Sequence, residues 1–322
     1  MRAGFDSRYG PALAAIFAAF LWATYYFFVL ALAPNTAPSA VFVYPLLIGG
    51  VAYFGWVALS GRTHEFLAIW KQGSAWVRTG LLCGMQLSTL AATYLAGPVT
   101  TSLFALLGDV VVAPILVMVI LAQGREQLRS ASFPVGVALA AGGAALTIVG
   151  GSTIQGLSGW AWVVVPAVPL TVAFFFVFAA DGNRTGSPAA VVGQSMLAAG
   201  LVGLVLTPAI PGGISGLAVV SPGAWGLLIG MGLTSFFFAS VLYFWSIGRV
   251  GLFLPTVLMA TIPIFTLALS VVLLDEPPAL EALVGVPLAA LGGYLVFRGE
   301  HHPWGARPVG ASPSPEAGQV PP

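Results

Sequence analysis

Charge is what this sequence has least of. Only 7% of its 322 residues are Asp, Glu, Lys or Arg, and the net charge is +1. A nucleic-acid partner has no electrostatic support in such a chain. Cysteine is nearly absent too. The one thiol, Cys83, excludes an intramolecular disulfide and any cysteine metal cluster. The histidines are His64, His301 and His302, and none of them falls in a long apolar run. An intramembrane hydrolase needs a nucleophile with a base, or metal ligands, at depth. Enzyme chemistry therefore has no residues to stand on, and no cofactor or metal site is expected. His301-His302 lies in a tail rich in Pro, Gly and Ser over 300–322, which reads as disordered.

What the chain has in abundance is apolar length. It is 58% hydrophobic, with mean hydropathy +0.98. Ten runs succeed one another: Ala12–Ala33, Ser39–Ser60, Trp76–Leu95, Thr100–Ala122, Ser132–Val149, Trp160–Ala179, Pro188–Thr207, Trp225–Ser246, Leu252–Leu274 and Leu280–Phe297. About 20 apolar residues span a ~30 Å hydrocarbon core as a helix. The first run has no clear cleavage site after it and reads as a retained helix.

The few basic residues then sort themselves. Arg2 and Arg8 precede the first run. Arg62 and Lys71 lie between the second and third, and Arg78, two residues into the third, is counted with them as a loop charge. Arg125 and Arg129 come after the fourth, Arg184 after the sixth, Arg249 after the eighth, and Arg298 and Arg307 after the tenth. The other five connections carry none. Basic residues mark the cytoplasmic side, so both termini are expected inside, in a bacterial-type inner (plasma) membrane. Phe66, Leu67, Ile69, Trp70 and Lys71 predict a short surface helix in the second cytoplasmic connection.

The chain also repeats itself. At an offset of 149 residues, Tyr94–Gly150 aligns without a gap with Tyr243–Gly299, with fourteen of 57 positions identical. Tyr94/Tyr243, Phe104/Phe253 and Pro114/Pro263 are among them. Five helices per unit is an odd number, so the two units have opposite orientations in the bilayer. The expected fold is all-α and integral to the membrane, with ten transmembrane helices as two inverted-topology five-helix repeats. The expected divisions are a cytoplasmic segment over 1–11, repeats over 12–150 and 151–299, and the tail. Inverted repeats build two-sided access to a midplane site.

Three stretches carry a family resemblance: FLWATYYFF at 20–28; YLAGPVTTSLFALLGDVVVAPILVMVIL at 94–121, with Arg125-Glu126 just beyond it; and 242–299, with Pro263, Glu276 and a Gly-rich last helix. Over roughly 12–299 the chain resembles the drug/metabolite transporter superfamily, EamA type. The resemblance implies a ten-helix exporter or exchanger of small metabolites. Asp109 departs from the family pattern and needs its own explanation.

Asp109 is the one acid well inside a run. A carboxylate at such depth costs roughly 2.5–3.5 kcal/mol on insertion scales, and it faces a cavity or a partner. No Lys or Arg stands at its depth. A structural role, as a protonated side chain bonded to a neighbouring helix, is the bland alternative. With Pro114 five residues on, Ser102, Ala105, Asp109 and Ala113 would share one helix face. Trp22, Tyr25 and Tyr26 form a second candidate, since aromatic faces hold apolar or cationic ligands. Gln86 and Thr89 share a face of the third helix, and Met259 and Pro263 a face of the ninth; interhelical hydrogen bonding is the bland reading for these polar groups. Pro114 and Pro263 are candidate bending points.

Secondary transport of an amino acid, an amine or a lipophilic cation by alternating access is the leading expectation. The small solute and the lipid bilayer are the partners, with protons or another ion for coupling, and no oligomer is implied. A channel wants a continuous polar path, which the sequence does not offer. An intramembrane enzyme is the other alternative.

Overall fold

The computed structural model describes residues 9–120, 130–150, 159–182, 187–250, 253–275 and 277–298. Among them every regular element is helical. In chain order these are α1 Tyr9–Leu32, α2 Pro38–Leu59, α3 Thr63–Ile69, α4 Gly73–Leu107, a π-helical segment Gly108–Val112, and α5 Ala113–Ile120. Then come α6 Ser132–Gly150, α7 Ala161–Gly182, α8 Pro188–Leu206, α9 Ser215–Ala218 and α10 Pro222–Met231. A second π-helical segment, Gly232–Phe238, leads into α11 Ala239–Val250, α12 Phe253–Met259, α13 Ile262–Leu274 and α14 Leu280–Arg298. Arg2, Arg8, Arg125, Glu126, Arg129, Arg184, Glu276 and the tail with His301, His302 and Arg307 lie outside the described residues.

Among the described residues seven stretches are long and apolar enough to cross a membrane, and two shorter apolar helices, Ser132–Thr147 and Leu280–Val296, accompany them. Large side chains point outward: Leu13 and Phe17 of α1 are exposed while Ala15, Ala18 and Ala19 are fully buried. Val205 and Val272 are 78% and 77% exposed. A soluble protein buries such residues; a bilayer rewards showing them, and small residues let the helices approach. The chain is a multi-pass membrane protein.

One crossing stretch, Gly73–Val112, runs 40 residues. A straight helix of that length would reach ~60 Å, twice the hydrocarbon thickness. It is broken at Gly97, whose φ is 79° and ψ 172°, a region open in practice to glycine alone. Pro98 comes next, where a helix restarts without needing its missing N–H. The third and fourth sequence runs therefore meet at this glycine.

Among the described helices the most extensive pairing is α6 against α14. A Cβ on Gly136 would strike the backbone of Gly292 and Val296, and one on Gly292 would strike Gly136 and Ala140. Gly143 meets Gly285 and Ala289 in the same way, and Gly285 meets Gly143 and Thr147. The contacts are reciprocal, and the offset of 149 carries Gly136 to Gly285 and Gly143 to Gly292. Only glycine allows such backbone contact.

Helix α8 has no outward face over most of its length. From Ala190 to Gly200 all but Leu197 are buried, because α2, α3 and α4 wrap it. The expected surface helix forms as α3, shorter at its C-terminal end. Its Phe66 and Ile69 pack into the protein beside Val57, Ala75, Ala190 and Val191, rather than being free for headgroups. Arg78 is a correction. Counted as a loop charge from sequence, it lies inside α4 at 1% exposure and donates to Ser74 Oγ at 3.2 Å. The helix starts three residues earlier than the apolar run, at Gly73.

Candidate functional site around Asp109 and the tyrosines

Asp109 sits in the π-helical segment. Ala113 N–H reaches back five residues to Gly108 O. Pro114 comes next and has no N–H to give Val110 O, so the wider turn is the backbone's answer to the proline. The expected straight face of Ser102, Ala105, Asp109 and Ala113 loses Ala113, because the π turn inserts an extra residue and rotates what lies beyond it. Ser102 instead bonds its own backbone, donating to Val99 O at 2.8 Å. Gly108 lies against Pro169 of α7, close enough that a Cβ would be 2.7 Å from the Pro169 carbonyl oxygen. The carboxylate is thus held beside the crossing of α4 and α7. Asp109 is only partly buried.

Tyr26 of α1 stands within electrostatic range of Asp109. Tyr25 stands within range of Tyr26 and of Tyr94 in α4. The Tyr25 and Tyr26 rings meet edge to face at 5.4 Å, and Tyr25 meets Phe236 of the second π segment at 5.9 Å. Sequence reading ranks Tyr94 low. Its hydroxyl is buried and has no hydrogen-bond partner among the described residues. A carboxylate, two buried tyrosines and one orphan hydroxyl thus come together from three separate sequence runs.

Trp22 is not with them. Its ring is 5.2 Å from Tyr243, and it packs with Met259 in a separate cluster with Ala15, Ala18 and Ala19. The expected trio divides because Trp22 meets Tyr243 of α11 while Tyr25 meets Phe236 of the second π segment, about two turns away along the same stretch. Met259 goes with Trp22. Thr89 is buried in α4 and its carbonyl accepts from Thr93 at 2.7 Å. Gln86 is partly buried on the same helix.

Pro263 is buried at the start of α13. The ninth sequence run is broken just before it, at Ala260 and Thr261, between α12 and α13. Pro114 likewise comes after an irregular segment. The two repeat-related prolines thus each stand behind a departure from α-helix, a π turn in one case and a break in the other. Beside the tyrosines, Ser235 of the second π segment donates to Leu21 O at 3.1 Å, and Thr24 donates to the same oxygen at 2.6 Å. These hydroxyls tie α1 to the second π segment.

Residues 157–298 match the EamA-like transporter family. No curated protein matches. Eleven chains of solved structures do. One crystal structure superposes with TM-score 0.65 at 19% identity, over 90% of this chain and 98% of that one. At that identity the likeness speaks for the fold alone. The family match carries more. Over residues 157–298 the chain has the pattern of an EamA-like transporter, of the drug/metabolite transporter superfamily.

Proposed function

We propose that the chain is a secondary active transporter, an exporter or exchanger, that moves a small organic ammonium compound by alternating access. Amino acids, amines and lipophilic cations all carry the group concerned. The observation that carries the reading is the packing of Tyr25, Tyr26 and Tyr94 in one apolar helical cluster, with Asp109 within electrostatic range of Tyr26. A carboxylate supplies the charge an ammonium needs, and tyrosine rings supply cation–π contact. A partly exposed carboxylate suits a site that a solute reaches. Phosphate esters would need a buried cation beside them, and the described site offers none.

Ten crossings as two inverted repeats, over 12–150 and 151–299, complete the proposal. The seven long stretches reach ten when the 40-residue stretch folds back at Gly97 and the two shorter helices are added. The reciprocal glycine contacts between α6 and α14 support an inverted relation, since a two-fold axis in the membrane plane exchanges the two contact pairs. Pro114 and Pro263 then serve as equivalent bending points in halves of opposite orientation. Protons or another ion supply the coupling.

Purified protein in liposomes tests the function. Saturable counterflow of a labelled amine or amino acid, driven by the same unlabelled solute inside, is expected. Non-saturable flux would speak for a channel, and absence of counterflow across the whole panel would remove the carrier reading.

The charge partition supports both termini on the inner side of the membrane and the connection between Pro208 and Ser221 on the outer side. Ser215 is exposed on that connection. A Ser215→Cys variant in a Cys83→Ala background is expected to react with an impermeant maleimide on spheroplasts. Reaction only in inverted vesicles would reverse the topology.

A further inference from the structure

The most anomalous polar group in the described fold lies away from the Asp109 site. Gln194 of α8 is 0% exposed. Both its Nε2 and its Oε1 lack a hydrogen-bond partner among the described residues. A primary amide has two donor hydrogens and two acceptor lone pairs. Leaving all of them without a partner in the described protein is unusual, because buried polar groups are almost always bonded. The neighbours differ. Ser195 donates to Val191 O at 2.9 Å, and Thr79 to Ala75 O at 2.8 Å. Each serine and threonine satisfies itself on its own helix, an option a glutamine amide lacks.

The position of Gln194 gives the anomaly a meaning. Cys83 Sγ of α4 approaches Ala199 O of α8 at 3.7 Å. Nearer the helix starts, Ala75 packs with Ala190 and Val191. The two helices therefore run side by side in the same direction. Gln194 lies on the level of Thr79 and Arg78, about 9 Å into α8 from Pro188. In the proposed topology this is the cytoplasmic half. There α3 closes the end with Phe66 and Ile69. A sealed amide that gains nothing from being sealed has a reason to exist if another state of the molecule wets it.

We propose that Gln194 is the inner polar station of the solute path: its amide hydrogen-bonds water and the passing polar solute when α4 and α8 part at the cytoplasmic end, and it is shut away in the closed state described here. The inference rests on the carrier reading. It adds a residue in the inner half of the path, remote in sequence from the Asp109 cluster. An amide that both donates and accepts suits a solute with hydrogen-bonding groups beside its charge. A purely packing residue would be better served by leucine, which fills similar volume with no polar atoms.

The test uses full-length protein with Cys83→Ala and Ser195→Cys, in inverted vesicles, with a small impermeant thiosulfonate as the probe. Measurable labelling from the cytoplasmic side is expected. Adding Gln194→Leu is expected to slow it at least tenfold and to raise the thermal unfolding midpoint in detergent. Gln194→Met repeats the comparison with an unbranched side chain of closer shape. Unchanged labelling in both variants, or a lowered midpoint in both, would overturn the proposal by making the amide a packing group. So would failure of Ser195→Cys to label at all. Wild-type counterflow is measured alongside. Its absence strikes the carrier reading, whereas labelling independent of Gln194 strikes this inference alone.

Discussion

Replacing Asp109 by Asn is expected to lower gradient-driven uptake into proteoliposomes on the order of 100-fold while leaving expression near normal. Asn keeps the shape and removes the charge. A hydrogen bond to a charged group is worth roughly 1.5–3 kcal/mol, and each 1.4 kcal/mol is about tenfold in an equilibrium constant. Losing both solute binding and ion coupling at one carboxylate would place the effect at the upper end. The fold should not suffer. The π segment that carries Asp109 is held by the Ala113-to-Gly108 bond and by the contact of Gly108 with Pro169, and neither uses the side chain. Asp109→Glu should retain part of the activity, since charge survives and position shifts by about one methylene. Uptake by Asp109→Asn at the wild-type rate would make the residue structural.

The α6–α14 pairing should respond even more sharply, and in stability rather than transport. Gly142 and Gly143 are adjacent in sequence and opposite in consequence. A Cβ on Gly142 meets nothing within 4 Å, whereas one on Gly143 would lie 2.5 Å from Ala289 N and Gly285 O. Gly143→Ala forces two backbones apart, with no side chain free to yield. Overpacking of this kind costs typically 1–3 kcal/mol, occasionally more. Gly142→Ala should be neutral or gain up to roughly 1 kcal/mol, because alanine is the better helix former. The measurement is the unfolding midpoint and the monodisperse fraction on size exclusion. Equal behaviour of the two variants would mean the helices do not meet along this line.

The glycines of this pairing are legible in the sequence as matched positions, Gly136 with Gly285 and Gly143 with Gly292. Their mutual contact is not, because an offset says which residues are equivalent and not which ones touch. The class of the protein is legible for a related reason: apolar length is a local property, and the bilayer reads it locally. The site is legible only in part. Asp109 and Tyr26 stand out as polar or aromatic residues at depth. Grouping Trp22 with Tyr25 fails because residues on neighbouring helix faces can belong to different neighbours. The face built on Asp109 loses Ala113 because it assumes 3.6 residues per turn through a segment that Pro114 widens. Arg78 is misjudged by proximity to a loop, and only tertiary burial reveals it. Tyr94 shows in the sequence only as a repeat-matched tyrosine near a helix end and Gln194 only as a lone amide in the seventh run; a polar atom without a partner exists only once every neighbour is known.

The break at Gly97 has a mechanical consequence. Where most successive long helices are separated by a connection that can take up slack, the two lengths of α4 are joined through a single residue with Pro98 directly behind it. Thr101 Oγ1 fastens onto the Gly97 carbonyl at 2.8 Å, so even the knuckle is laced to the second length. The joint at Gly97 is a pair of glycine dihedrals, so the two lengths swing about one point. Tyr94 rides on one arm of this crank and Asp109 on the continuation of the other. A ligand that draws the tyrosine would act on the carboxylate's arm only through that joint, with no length of loop between the two to absorb the motion.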